Sequence, residues 1–149
     1  MYYDEYEVVP DLLKVENDRF LKIAICDLAG SEANSYTFFR HKQNELQVKI
    51  SGAVWLDLSH KLANKGRALK VVQKKFGISF DETMVFGDYL NDLEMMHEAS
   101  FSYAMENAHP DIKKAARFLA KSNEENGVTE VLRQMLHEMN TVHIGPDGM

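Results

Sequence analysis

The sequence predicts an α/β protein built on a parallel sheet with helices on its faces, preceded by a smaller β-rich unit. Two observations carry that expectation. After residue 60, short apolar runs alternate with amphipathic stretches in the order helix, strand, helix, strand, the pattern of βα units. Before it, "LKIAICDL" (21–28) and "LQVKISGAVWLDL" (46–58) are β-rich and bracket a weaker helical stretch, "EANSYTFFRHKQ" (32–43). With 149 residues, 45% of them hydrophobic, the chain can bury one sizeable core or two small ones.

Each element has a local reason. "LQVKIS" and "AVWLDL" alternate apolar residues on either side of Ser51-Gly52, which predicts a tight antiparallel hairpin. Asn64 can cap a helix that presents Ala68, Leu69, Val72 and Phe76 on one face, and Gly77 is placed to end it. "TMVFG" (83–87) reads as a short buried strand, followed by a helix over 91–99 with Leu93, Met96 and Ala99 inward. A strand "FSYAM" (101–105), a helix from Pro110 through Ala116, a strand "FLA" (118–120) and a helix over 127–139 complete the series. The expected boundaries are a β-rich unit over 1–59, an α/β unit over 60–140 and a flexible tail over 141–149.

Composition narrows the function classes. A net charge of −6, with no Lys/Arg cluster longer than two, lacks the basic footprint that nucleic acid or an anionic membrane surface requires. No stretch reaches 18 uninterrupted apolar residues and the acidic start "MYYDEYEVVPD" is unlike a signal peptide, so a cytoplasmic location is expected. The single cysteine, Cys26, rules out an internal disulfide and reads as a buried, inert thiol. The six histidines show no metal-ligand spacing.

The residues that carry chemistry lie in "VFGDYLND" (85–92) and "LANKGRAL" (62–69). An apolar strand delivers Gly87 and Asp88 at its C-terminal edge, where open α/β sheets bind ligands, and Asn91 and Asp92 open the next helix. Mg²⁺ prefers carboxylate oxygens and water, so Asp88 is the expected metal ligand and Asp92 its supporter. The bland alternative is that both aspartates are turn and cap residues. Lys65, at a helix start, could reach over the sheet edge toward a phosphate and balance the charge of phosphoryl transfer.

From Ser51-Gly52 through Asn126-Gly127-Val128, the ordered motifs resemble the C-terminal half of the haloacid dehalogenase-like phosphatases of the Cof type. They include Lys65-Gly66 with Ala68-Leu69, Gly77-Ile78, Gly87-Asp88 with Asn91-Asp92, and Ala104-Met105 with Asn107-Ala108. The resemblance implies a Rossmann-like core with an inserted α/β cap, of which 1–59 is a fragment, and a Mg²⁺-dependent phosphatase of small phosphorylated metabolites. It makes Lys65 the phosphate-steadying lysine and Asp88 the magnesium-binding acid, with Asn91 and Asp92 holding the loop and the phosphate side. The family's nucleophile and its acid/base partner lie in a D-x-D-G-T motif.

Asp27 is the one candidate for that nucleophile in this sequence. The run Asp27-Leu28-Ala29-Gly30-Ser31 keeps the first acid but places Ala29 where the proton-transfer aspartate belongs, which forfeits a factor of roughly 10²–10⁴ in rate. Only 14 positions separate Ser51 from Lys65, too few for the strand, turn and crossover of a core without a cap. Asp27 is therefore expected at a cap strand end, and the chain is expected to lack the nucleophile, being truncated or encoded apart from its N-terminal half. A non-catalytic module that self-associates or pairs with that half, and a capless phosphatase using Asp27, are the alternatives.

Overall fold

A computed structural model describes residues 5–16 and 18–142. The chain forms two three-stranded sheets. In the first, β1 (Lys22–Cys26), β2 (Leu46–Gly52) and β3 (Trp55–His60) pair antiparallel in the order β1-β3-β2. Ile23 and Ile25 lie opposite Leu58 and Leu56, which in turn face Val48 and Ile50, so one face of this sheet is apolar. A short helix α1 (Ser35–Phe39), continued by a 3-10 turn over Arg40–Asn44, brings Tyr36 and Phe39 onto that face. The opposite face presents Lys22, Gln47, Lys49, Asp57 and Ser59.

The second sheet is parallel, in the order β4 (Met84–Gly87), β5 (Phe101–Met105), β6 (Phe118–Ala120). Helix α2 (Lys65–Phe76) precedes it, α3 (Leu93–Met96) and α4 (Pro110–Ala115) connect its strands, and α5 (Gly127–Val142) follows. Val85, Met96, Ala99, Ala104, Met105, Ala108, Ile112 and Ala120 make its core, against which Val128 and Val131 of α5 pack. Among the described residues β4 pairs with β5 alone, so its other edge carries no strand.

The mixed α/β class with a parallel sheet is the one expected, and the differences are local. The hairpin turns at Ala53-Val54, two residues past Ser51-Gly52, because β2 carries an irregularity between Ile50 and Gly52 that lengthens it. Asn64 and Gly77 cap α2 as anticipated: the Asn64 side chain accepts from Arg67 N–H at 2.8 Å, and Gly77 has φ 67°. The inward line of α2, however, is the buried Gly66 with the half-buried Leu69 and Gln73, whereas Ala68, Val72 and Phe76 are exposed. Gln73 decides this rotation, since its amide donates to Thr83 Oγ1 at 2.9 Å and to the Glu98 carbonyl at 2.8 Å. Cys26 is exposed rather than buried, because its alternation with Ile23 and Ile25 puts it at the open end of β1 opposite Trp55. Helix α5 runs through Val142, past the expected tail boundary at 141, and residues 143–149 lie outside those described.

Candidate active site

The site is built at the C-terminal end of β4, where the strand gives way to Asp88-Tyr89 and a 3-10 turn over Leu90–Asp92. Asp92 is its organising residue and is only 3% exposed. Its Oδ1 accepts from the Lys65 ammonium, and its Oδ2 accepts from the backbone N–H groups of Asp88 at 3.0 Å and Tyr89 at 3.4 Å. One carboxylate thus ties the start of α2 to the loop after β4, across 27 positions of sequence.

Two glycines allow the close approach. A Cβ on Gly87 would stand 2.7 Å from Asp92 Cβ and 2.6 Å from Met96 Cε, and a Cβ on Gly66 would stand 2.8 Å from Glu94 Cβ. Any side chain at either position would push α2 or α3 away from the loop. Lys65 opens α2 in a first turn that carries no acidic residue, where the helix dipole disfavours a cation. Asp92 offsets that cost, and a locally unfavourable charge held in place by a buried partner is characteristic of a working site.

Asp88 is exposed, and its carboxylate has no partner among the described residues. Its carbonyl accepts from His109 N–H at 2.8 Å, and the His109 ring meets Tyr89 edge-on at 5.6 Å. The backbone of Asp88 is therefore fixed while its side chain is uncommitted, which suits an oxygen ligand of a hard cation. The described residues include no group of three or more His, Cys, Asp or Glu that could hold a metal ion together. Asp88 fits as one ligand of Mg²⁺, and the described residues do not supply a full set.

Asn91 and Lys65 line the same cavity, of about 420 Å³, with Lys22, Gln47, Lys49, Asp57 and Ser59 from the polar face of the antiparallel sheet. The two sheets are joined beside it. Tyr89 and Leu90 pack into the Val48, Ile50, Leu56, Leu58 cluster, and Lys49 Nζ lies 2.5 Å from Glu94 Oε1. These sheet residues were not singled out from the sequence, although the alternation in "LQVKIS" and "WLDLSH" sets Gln47, Lys49, Asp57 and Ser59 apart from their apolar neighbours.

Asp27 stands elsewhere. Its Oδ1 accepts from Ala29 N–H at 3.1 Å and Asn34 Nδ2 at 3.3 Å, and its Oδ2 from Ser35 N–H at 2.8 Å. Partial desolvation raises its pKa, but the hydrogen bonds from Ser35, Asn34 and Ala29 outweigh it and hold the carboxyl below its ordinary value. Ser31, fully buried, donates to the Gly52 carbonyl at 2.7 Å, and Gly30 reaches φ 103° to make the turn. The hydrogen bonds of the Asp27 carboxylate thus all come from the turn that leads from β1 into α1.

Residues 2–132 match the haloacid dehalogenase-like hydrolase family. The chain is 35% identical over 141 residues to the 5-amino-6-(5-phospho-D-ribitylamino)uracil phosphatase YbjI of Escherichia coli, covering 93% of this chain and 51% of that protein. It is 40% identical over 111 residues to phosphatase YwpJ of Bacillus subtilis, covering 68% of this chain and 39% of the other. Among solved structures, SMU.1108c of Streptococcus mutans superposes with a TM-score of 0.74 at 34% identity, over 80% of this chain and 46% of that one. The chain spans about half the length of the curated relatives it matches.

Proposed function

The chain belongs to the haloacid dehalogenase-like hydrolases, and from that premise we propose that it supplies the phosphate-steadying and metal-facing half of a phosphomonoesterase site for small phosphorylated metabolites. The observation that carries the reading is the Asp92 carboxylate, which fixes the Lys65 ammonium and the Asp88 backbone to one another at the end of a parallel strand. Lys65 opposes the negative charge that builds on the phosphoryl oxygens, and Asn91, in the same cavity, offers an amide to them. Asp88, exposed and with its carboxylate free among the described residues, would be the residue that holds Mg²⁺. Mg²⁺ bound there would neutralise phosphate charge and orient the group for in-line attack.

The sequence contains no D-x-D-G-T motif, and the hydrogen bonds around Asp27 commit its carboxylate to a turn. We therefore propose that the nucleophile comes from outside these 149 residues, which the edge of β4 left unpaired among the described residues favours: a strand added there would end beside Asp88 and Lys65. Alone, these 149 residues are expected to bind Mg²⁺ weakly and to turn over no ester. The assay is p-nitrophenyl phosphate hydrolysis with Mg²⁺. No turnover is expected, and turnover abolished by Asp27→Asn would overturn this reading in favour of the capless enzyme.

A non-catalytic, self-associating module is the second reading, favoured by apolar side chains left open in α2, β6 and α5: Phe76 is 66% exposed, Phe118 44% and Leu136 54%. Sedimentation that shows a monomer across the micromolar range would count against it.

A further inference from the structure

Strand β1 pairs with β3 on one side, and its outer side carries no strand among the described residues. Asp27 N–H donates to the Val54 carbonyl at 2.7 Å, and the same register continues through Cys26 opposite Trp55 to Lys22 opposite Ser59. Hydrogen-bonded and non-hydrogen-bonded pairs alternate along an antiparallel ladder, so Ile25 and Ile23 turn their N–H and C=O groups to β3. Lys22, Ala24 and Cys26 turn theirs outward, and those backbone groups have no partner among the described residues.

The usual protections of a free edge are missing here. The strand has no proline, its register with β3 has no bulge, and its one charged side chain, Lys22, is drawn to Asp57 at 2.8 Å. Apolar side chains crowd the edge instead: Phe20 is 63% exposed, Leu21 89%, Ile23 53% and Leu28 87%.

This edge is complementary to itself. Turned antiparallel about Ala24, two copies set Ala24 against Ala24 and Lys22 against Cys26, and every outward N–H and C=O of the three residues gains a partner. Ile23 of each copy comes beside Ile25 of the other on the apolar face, at the positions where cross-strand side chains approach most closely. Past the strand ends, Phe20 of one copy nears Leu28 of the other. Charge agrees with this direction: Arg19 and Lys22 stand at one end of the strand and Asp27 at the other, so antiparallel pairing brings opposite charges together. Parallel pairing would set like charges side by side. Because both copies use the same edge, the assembly closes at two. It removes on the order of 1,000 Å² from water in total, the lower end for a specific interface, so the association depends on concentration.

We infer that the chain forms a two-fold dimer through β1, joining two three-stranded antiparallel sheets into one of six strands. The dimer is independent of the phosphate reading, since the β4 edge lies in the other sheet and stays free. It also uses a different surface from the exposed residues of α2, β6 and α5.

The test is sedimentation velocity of the full chain across the micromolar range, under reducing conditions. Twice the mass of one chain is expected at the upper end, falling to the single mass on dilution. Ala24→Lys, at an exposed position, sets two ammonium groups against each other on the two-fold axis and should weaken association about tenfold or more. In a Cys26→Ser background, Ala24→Cys should form a disulfide-linked dimer under mild oxidation, because the paired Cα atoms lie about 5.5 Å apart, within disulfide reach. Leu119→Cys in the same background, exposed on β6, should stay unlinked. Circular dichroism checks folding, and if Ala24→Lys unfolds, the cross-link decides alone. A chain that stays monomeric throughout would overturn the proposal and leave the edge to a strand of another polypeptide. A dimer that survives Ala24→Lys, or that links no faster through position 24 than through position 119, would overturn it too and move self-association to another surface. Neither result touches phosphate binding at Lys65.

Discussion

Replacing Asp92 by alanine should cost the protein about 2–3 kcal/mol. Three bonds are removed from a side chain 3% exposed: the Lys65 contact, Asp88 N–H at 3.0 Å and Tyr89 N–H at 3.4 Å. The Asp88 bond is of ordinary length and charge-assisted, worth roughly 1.5–3 kcal/mol, whereas the Tyr89 bond is long and adds little. The Lys65 side chain is half exposed, so its ammonium can rehydrate once unpaired, and that contact is discounted to about 0.5 kcal/mol. Urea denaturation followed by far-UV circular dichroism measures the loss. Lys65→Ala, the control, should cost less than about 1 kcal/mol, because removing an exposed cation leaves Asp92 its two backbone donors. If Asp92→Ala unfolded at the same urea concentration as the parent chain, or if Lys65→Ala proved the more damaging change, Asp92 would not be what holds the loop to α2, and the site derived from it would fall.

Three further outcomes follow from the same structure. Asp27 has a depressed pKa, so the stability that it contributes is fully present above the ordinary aspartate range of about 4 and is lost as pH falls through its lower folded value. Asp27→Asn should therefore flatten the acid limb of the stability curve below about pH 4, and curves that stay parallel there would contradict this. Gly87→Ala forces a methyl against Asp92 Cβ at 2.7 Å and should destabilise by about 1–3 kcal/mol. It should also weaken Mg²⁺-dependent phosphate binding, and a silent substitution by calorimetry and denaturation would show that the loop yields more easily than its packing implies. Lys49→Ala breaks the tie between the sheets at Glu94. Raised amide hydrogen exchange in β2 is expected, with β4 and β5 unchanged, and uniform protection would argue that the apolar contacts of Tyr89 and Leu90 suffice.

Local signals carried a large part of the architecture. Period-two alternation in "LQVKIS" and "WLDLSH", the cap at Asn64, the stop at Gly77 and the apolar run "TMVFG" depend on neighbours within a few positions, so they could be read from the chain. The Gly87-Asp88 to Asn91-Asp92 spacing was legible for the same reason: strand end, turn and helix start are contiguous. The buried face of α2 was not. The stripe Ala68, Val72, Phe76 is the more apolar one, yet the helix turns Gly66, Leu69 and Gln73 inward because the Gln73 amide finds two partners 10 and 25 positions away.

The sequence by itself determined that the chain carries βα units, that Lys65 and the Gly-Asp loop stand at helix and strand ends, and that Asp27 lacks its acid/base partner at Ala29. Only the tertiary structure decided that the carboxylate of Asp92 faces inward and joins Lys65 to Asp88, and that the polar face of the first sheet closes the cavity beside them. Local propensity acts through the next few residues and is written in their order. An ion pair spanning 27 positions, and a floor shared by two sheets, depend on which surfaces meet when the chain packs.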